Sequence, residues 1–201
     1  MKHPKKFFDC LRGGILGPTL DQDEVSGCNA IVDAMYGAPV SHVAYALATA
    51  YHETAHTMQP IKEYGGSKYF FRMYDIEGNR PRKARELGNV NPGDGAKFAG
   101  RGYVQLTGRT NYFNAGKALL VDLIEDPDKA LDPTIAALIM QKGMSQGWFT
   151  GKKLSDYLPD GPAKSWEFYE ARRIINGLDR AADIAQYAVQ FQDALILGGW
   201  E

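Results

Sequence analysis

Cysteine is scarce in this chain: Cys10 and Cys28 are the only two among 201 residues. Two are too few for a disulfide framework, and they lack metal-ligand spacing, so they read as reduced, partly buried thiols. Long apolar runs are missing as well. No stretch approaches the roughly 18 consecutive apolar residues that a membrane span needs, which excludes membrane insertion. Charge of one sign is not in excess, with 23 basic against 24 acidic residues and a formal net charge of -1. A nucleic-acid binder normally carries a clear basic surplus, so that class is set aside. The N-terminus, Met1-Lys2-His3-Pro4-Lys5-Lys6-Phe7-Phe8, starts basic but has no apolar stretch of the kind a signal peptide requires. The expectation is synthesis in the cytoplasm, with any outside target reached by another route.

Hydrophobic residues make up 44% of the chain and charged residues 23%, enough to fold one globular domain with a sizeable core. No internal repeat or low-complexity linker divides it, so residues 1–201 are expected to form a single domain without a separate binding module. Asp21 to Glu24 opens a helical pattern in which Val25, Cys28, Ile31, Val32 and Met35 recur at three- and four-residue steps. After Gly37-Ala38-Pro39, Ser41 is a good N-cap for a second helix. That helix is apolar nearly all round from Val43 to Tyr51, which predicts a central, buried position, and Pro60 is expected to end it. From Lys62 to Ala99 the chain is rich in glycine and broken by Pro81 and Pro92. It reads as a long structured loop with one short strand, and loops of that length are usually functional. Arg101 to Thr107 suits a short strand or turn. Helices are expected over 111–124, 133–149, 165–176 and 179–197, giving a mainly α protein.

His52-Glu53-Thr54-Ala55-His56 matches the H-E-x-x-H spacing of zinc metallopeptidases, which places two histidines on one helical face with the glutamate as general base. The extended form of that motif requires Gly and His where this chain has Gln59 and Lys62. In the plainer reading, His52 is a hydrogen-bonded helix residue and His56 a surface residue near the helix end. The carboxylate by itself supports different chemistry. A glutamate closing a buried apolar helix loses solvation, and desolvation disfavours a charged carboxylate, the condition that suits a general acid near neutral pH. A glycosidase pairs such an acid with a second carboxylate. Glu63 stands ten residues on, just past the expected helix end, with Asp75 and Glu77 as alternatives on the same loop. If Glu53 is a buried, uncompensated acid, Glu53→Gln leaves thermal stability equal or higher.

A second segment, Phe98-Ala99-Gly100-Arg101-Gly102-Tyr103-Val104-Gln105-Leu106-Thr107-Gly108-Arg109-Thr110-Asn111-Tyr112, carries its own chemistry. Gly100 and Gly102 permit close approach of backbone, so Gly102→Ala is expected to impair substrate binding or folding. Arg101 suits a carboxylate partner or a role in holding the loop. Gln105, Thr107 and Asn111 offer the amide and hydroxyl groups that sugar hydroxyls and acetamido groups need, and Tyr103 and Tyr112 offer flat faces for a pyranose ring.

This segment resembles the F-G-R-G-x-x-Q-L-[ST]-x-x-x-N-Y signature of family 19 glycoside hydrolases, which include plant chitinases and lysozyme-like phage endolysins. His52-Glu53-Thr54 resembles the family's H-E-T segment, and Arg172-Arg173-Ile174-Ile175-Asn176-Gly177 its R-x-I-N-G segment. The resemblance implies a lysozyme-like, two-lobed helical domain with a small β and loop region flanking the cleft. It implies Glu53 as general acid, with Thr107 and the second carboxylate, Glu63, placing the attacking water. Gln105, Asn111 and Asn176 match substrate-contacting positions, and His52, Tyr103 and Arg101 join them as candidate substrate-binding residues. No metal or other cofactor is implied. The family inverts the anomeric centre, which places the carboxylates roughly 6.5–9.5 Å apart. Without a leader, a cysteine framework or a chitin-binding module, the chain looks like a monomeric phage or prophage endolysin that cuts peptidoglycan at the cell wall after holin-assisted release. Chitin is the alternative substrate.

Overall fold

The first helices start where local chemistry satisfies their free N–H groups. In the computed structural model, which describes residues 1–200, α1 (Pro4–Gly13) begins with a proline in its first turn and buries Phe7 and Leu11. A complete capping box opens α2 (Gln22–Ala34): Glu24 N donates to Asp21 Oδ1 at 2.7 Å, and Asp21 N donates to Glu24 Oε2 at 3.0 Å. The expected stripe of Cys28, Ile31, Val32 and Met35 is buried. In α3 (Val40–Glu53) every residue from Val43 to Tyr51 is buried, as an all-round apolar helix requires. Its start differs from the expectation. Pro39 occupies the N-cap, and Ser41 lies inside the first turn, buried, donating its hydroxyl to Pro159 O at 2.5 Å.

The end of α3 also differs, stopping at Glu53 rather than running toward Pro60. Thr54 is responsible: its buried hydroxyl donates back to Ala50 O at 2.8 Å and accepts from Met58 N at 3.1 Å. Ala55, His56 and Met58 then take left-handed φ values of 52, 73 and 55°, incompatible with a continuing helix.

Beyond β1 (Ile61–Lys62), the segment expected to be a long loop holds three short helices, α4 (Ser67–Tyr74), α5 (Pro81–Glu86) and α6 (Asp94–Lys97). Strand β2 (Arg101–Gly102) pairs antiparallel with β1, Ile61 facing Gly102 and Lys62 facing Arg101. Then follow α7 (Arg109–Leu119), a 3-10 turn over Pro127–Leu131, α8 (Pro133–Gln146), α9 (Ser165–Ala171) with a 3-10 turn over Arg172–Ile174, and α10 (Ala181–Leu197). Among the described residues helix accounts for 57% and strand for 2%, so the mainly α expectation holds. None of the described helices is long and apolar enough to cross a membrane. Cys10 and Cys28 are both free.

The fold divides into two compact units, one formed by residues 1–59 with 140 onward, the other by Pro60–Ile139. In the first, α10 packs on α3, α9 and α1, and α2 lies against α3. Gln192, buried on α10, clamps the approach to α9 by exchanging two hydrogen bonds with the Ala163 backbone, at 2.7 and 3.0 Å.

In the second unit, buried polar side chains tie the short helices and the segments between them together. Asp75, one of the alternative catalytic carboxylates, is 1% exposed. Its Oδ2 accepts from Gly93 N at 2.9 Å and Gly95 N at 3.1 Å, and its Oδ1 from Glu77 N at 3.2 Å. That correction follows from satisfaction: its oxygens are engaged by backbone and closed to a ligand. In Asp75→Asn the amide oxygen can accept from Gly93 N and Gly95 N, but the amide hydrogens then face the Glu77 N–H, and the buried charge that the three donors served is gone. We expect a loss of about 3 kcal/mol, or about 6–12 °C in melting temperature at this chain length, while kcat per folded molecule stays within about twofold because no reacting group is lost. A variant of normal stability but without activity would return Asp75 to the catalytic set. Asp94, also buried, forms a two-pronged pair with Arg109 at 2.6 and 2.8 Å and accepts from Val90 N and Asn91 N. Burial opposes its charge, but these donors outweigh burial and hold its carboxyl below the usual carboxylate range.

Gly102 has φ 88°, and a Cβ there would come within 3.1 Å of Ala130 O. Its role is therefore to let β2 pass the 3-10 turn rather than to meet a ligand. Gly102→Ala is expected to cost at least about 1 kcal/mol in chemical denaturation with KM unchanged; a raised KM at full stability would favour the ligand role instead.

Candidate active site

Glu53 is the last residue of α3, and its side chain is 21% exposed. It does not stand alone in apolar surroundings. The guanidinium of Arg172, itself 1% exposed, reaches Glu53 Oε1 through Nη2 at 2.8 Å. The sequence expectation of an uncompensated carboxyl is thereby corrected: a buried guanidinium stands against it. His52 beside it is half-buried, and burial pulls its imidazole below the ordinary histidine range, with Glu53 opposing that shift. It is therefore a neutral hydrogen-bonding group near pH 7.

His56 is not on α3. It lies in the left-handed turn and stacks on Tyr51, ring centroids 4.2 Å apart and planes 10° from parallel. The H-E-x-x-H spacing thus fails to put its two histidines on one helical face, which the metallopeptidase reading needs.

The second unit assembles three of the expected residues around one glycine. Glu63 follows β1, and its backbone N–H donates to Gly100 O at 2.8 Å. Its carboxylate is held at both oxygens, Oε1 by the Tyr74 hydroxyl at 2.8 Å and Oε2 by Gly100 N at 3.1 Å. Burial, and then this bond to Glu63, push the Tyr74 hydroxyl well above the usual tyrosine range, so it stays protonated and donates. Gln105, with φ 51°, turns its side chain back so that Nε2 donates to Ile61 O at 3.0 Å and Gly102 O at 3.1 Å. The Thr107 hydroxyl donates to Gln105 O at 2.8 Å. A Cβ built on Gly100 would meet Gln105 Oε1 at 2.9 Å, Glu63 Oε2 at 3.1 Å and Thr107 Oγ1 at 3.2 Å. The hydrogen-bond donors of both Gln105 and Thr107 are already engaged by backbone carbonyls. The three oxygens that converge over Gly100 therefore form an acceptor-lined niche.

The remaining candidates fall elsewhere. Tyr103 and Tyr112 are fully buried and present no face to a sugar. Arg101, 4% exposed, is an interior strut rather than a substrate contact: it donates to Asp128 Oδ1 at 2.7 Å, to Lys97 O and Ala99 O, and to the Tyr112 hydroxyl. Asn111 is half-buried at the start of α7, donating to Thr107 O at 2.7 Å, so it props the threonine. Asn176 is exposed after the 3-10 turn of the first unit, and Glu77 is exposed in the second. Sequence reasoning missed Tyr74, which lies in the supposed loop, and gave Arg172 no role.

A family model described as chitinase class I matches residues 33–153. The chain belongs to glycoside hydrolase family 19. The matched stretch contains Glu53, Glu63 and the whole niche over Gly100, but not Arg172 or Asn176. An acidic endochitinase of Petunia hybrida is 37% identical over 89 residues, which are 44% of this chain and 28% of that protein. The chain thus spans under a third of that relative's length. Chitinase C of Streptomyces griseus HUT6037 superposes with a TM-score of 0.60 at 20% identity, covering 96% of this chain and 75% of that one. A second bacterial family 19 chitinase gives 0.54 at 21% identity, covering 98% and 94%. At these identities the likeness shows the fold, which is the lysozyme-like fold of family 19 chitinases.

Proposed function

We propose that this chain is a glycosidase that hydrolyses β-1,4 bonds in chitin-type polymers of N-acetylglucosamine by an inverting acid/base mechanism. The observation that carries this is the niche over Gly100. A water held there gives its two hydrogens to acceptors among Glu63 Oε2, Gln105 Oε1 and Thr107 Oγ1, which leaves a lone pair for the anomeric carbon. As the water oxygen bonds to that carbon, Glu63 takes its proton. The bond to the leaving oxygen breaks, and Glu53 delivers its proton to that oxygen. A water entering opposite the leaving group is the inverting geometry.

The relatives are named as chitinases, so chitin takes first place over the peptidoglycan expected from the sequence. Peptidoglycan carries the same N-acetylglucosamine unit, which makes it the second substrate to offer. The endolysin role, with holin-assisted release, depends on that second substrate.

The test measures reducing ends released from chitin hexasaccharide and turbidity loss of outer-membrane-permeabilised bacteria, with wild type, Glu53→Gln and wild type plus chelator. Hydrolysis of the oligosaccharide that is lost in Glu53→Gln and indifferent to chelator is the expected result. Lysis without oligosaccharide hydrolysis moves the substrate to peptidoglycan. Chelator sensitivity defeats the mechanism, and inactivity on both polymers leaves a sugar-binding protein.

A further inference from the structure

Arg12, Arg101, Arg109, Arg172, Arg173 and Arg180 each reach an aspartate or glutamate at 3.0 Å or less. The other arginines of the chain all lie between Ser67 and Glu86, across α4 and α5. There Arg82 pairs with Glu86 at 3.2 Å. Arg72, Arg80 and Arg85 have no ion pair or side-chain hydrogen bond among the described residues, and all three are exposed. The same stretch carries six cations against three carboxylates. Asp75 is buried and held by backbone donors, and Glu86 is taken by Arg82, which leaves only Glu77. A formal net charge of -1 for the whole chain conceals this local excess.

The fold gathers these arginines. Asn79 N donates to Arg72 O at 3.1 Å, so Arg80, the next residue, comes back beside Arg72. Gly78 makes the return possible, because a Cβ there would collide with Phe71 O. Arg80 then occupies the N-cap of α5, a helix that packs on α4 and buries only Ala84. Lys68, one turn before Arg72, and Lys83 are exposed as well. Like charges grouped in this way repel one another, and solubility needs only interspersed charge of both signs. Arginine in place of lysine points to the shape of the partner, since its fork meets a carboxylate with two parallel bonds. Chitin carries no charge. Peptidoglycan, built on the same N-acetylglucosamine, carries carboxylates on its stem peptides. Tyr74 at the end of α4 donates to Glu63, so a polymer drawn to Arg72 is drawn to the helix that holds the proposed base.

We infer that the exposed α4–α5 surface carrying Arg72, Arg80 and Arg85 is a docking site for the stem-peptide carboxylates of peptidoglycan. The inference rests on the reading of the chain as a hydrolase of N-acetylglucosamine polymers, and it adds a surface by which one of them is held.

The experiment measures co-sedimentation, on ice, with insoluble peptidoglycan stripped of protein and of phosphate polymers. It compares wild type with the triple variant Arg72→Gln, Arg80→Gln, Arg85→Gln, and a thermal melt checks that the variant is folded. An exposed ion pair is worth roughly twofold in affinity, so the triple variant is expected to bind about tenfold more weakly. Its kcat on the uncharged chitin hexasaccharide is expected to stay within about twofold of wild type. Wild-type binding is expected to weaken as salt rises from about 0.1 to about 1 M, where the screening length falls from about 10 to about 3 Å. Peptidoglycan whose carboxylates have been converted to amides is expected to hold wild type and variant alike. Should the triple variant fail to fold, Arg72→Gln and Arg85→Gln carry the test singly, each expected to bind about twofold more weakly. Equal binding of wild type and variant to untreated peptidoglycan overturns the inference, and so does a difference that survives amidation. Binding only to walls that keep their phosphate polymers overturns it too, by moving the partner to phosphate. Hydrolysis of either polymer with no loss of binding in the variants defeats this inference alone; arginine-dependent binding without hydrolysis of either polymer defeats the hydrolase reading and leaves the docking site in place.

Discussion

Glu53→Gln is expected to lose about 10²–10⁴-fold in kcat and to lower the melting temperature as well. The first effect follows from the acid role, because an amide carries no proton to the leaving oxygen. The second follows from Arg172. With Glu53 neutralised, a guanidinium that is 1% exposed keeps a carbonyl oxygen to bond but loses its counter-charge. Removing one partner of such a pair costs more than the pair contributes, since the other charge stays desolvated. A loss of about 2 kcal/mol is reasonable for a charged hydrogen bond whose geometry survives, which corresponds to about 4–8 °C for a chain of this size. The sign is opposite to the one the sequence suggests, where a buried carboxyl without a partner would be relieved by amidation. Thermal melts followed by circular dichroism decide between them. An unchanged or raised melting temperature would show that the ion pair contributes nothing to the folded state. The same result warns that an inactive Glu53→Gln must be checked for folding before its inactivity is read as chemistry.

Gly100→Ala is the second large effect. The added methyl would sit 2.9 Å from Gln105 Oε1, 3.1 Å from Glu63 Oε2 and 3.2 Å from Thr107 Oγ1. These are side-chain atoms rather than backbone, so the chain can keep its course while the side chains spread at the expense of the bonds that hold them. The methyl then pushes apart the three oxygens that are proposed to hold the attacking water. Loss of a positioned general base and its water is worth about 10²–10⁴-fold, and kcat is expected to fall within that range, while stability changes by about 1–3 kcal/mol, the usual cost of overpacking. Steady-state kinetics beside a melt separate the two. Near-normal kcat in a folded Gly100→Ala would mean the water binds elsewhere, and Glu63 would lose its role as base.

Much of this was legible in the sequence, for reasons that can be named. Asp21 and Glu24 spell a capping box whatever surrounds them, and the apolar run from Val43 to Tyr51 has only a buried helix as its solution. The H-E-T and G-R-G-Y-V-Q-L-T segments pointed to Glu53, Gln105 and Thr107, and Glu63 was chosen from its distance past α3. What stayed hidden has physical causes too. Helices α4, α5 and α6 are one or two turns long, too short for hydrophobic periodicity to register. The end of α3 depends on one hydroxyl, that of Thr54, bonding back to Ala50 O, and on non-glycine residues in left-handed conformations that sequence rarely signals. Tyr103 and Arg101 have the chemistry of sugar contacts, yet burial turns the first into core and the second into a strut. Arg172 and Tyr74 act on the candidate carboxylates across 119 and 11 positions of sequence. Only folding brings the first of these pairs together.

The most direct test of the acid and water mechanism is the configuration of the first product. Proton NMR of chitin hexasaccharide in the first minutes of hydrolysis distinguishes the anomers at the new reducing end before they interconvert. A water activated by Glu63 opposite a leaving group protonated by Glu53 yields the α-anomer first. Initial appearance of the β-anomer would mean retention through a covalent or substrate-assisted intermediate, and would contradict the roles assigned to Glu63, Gln105 and Thr107.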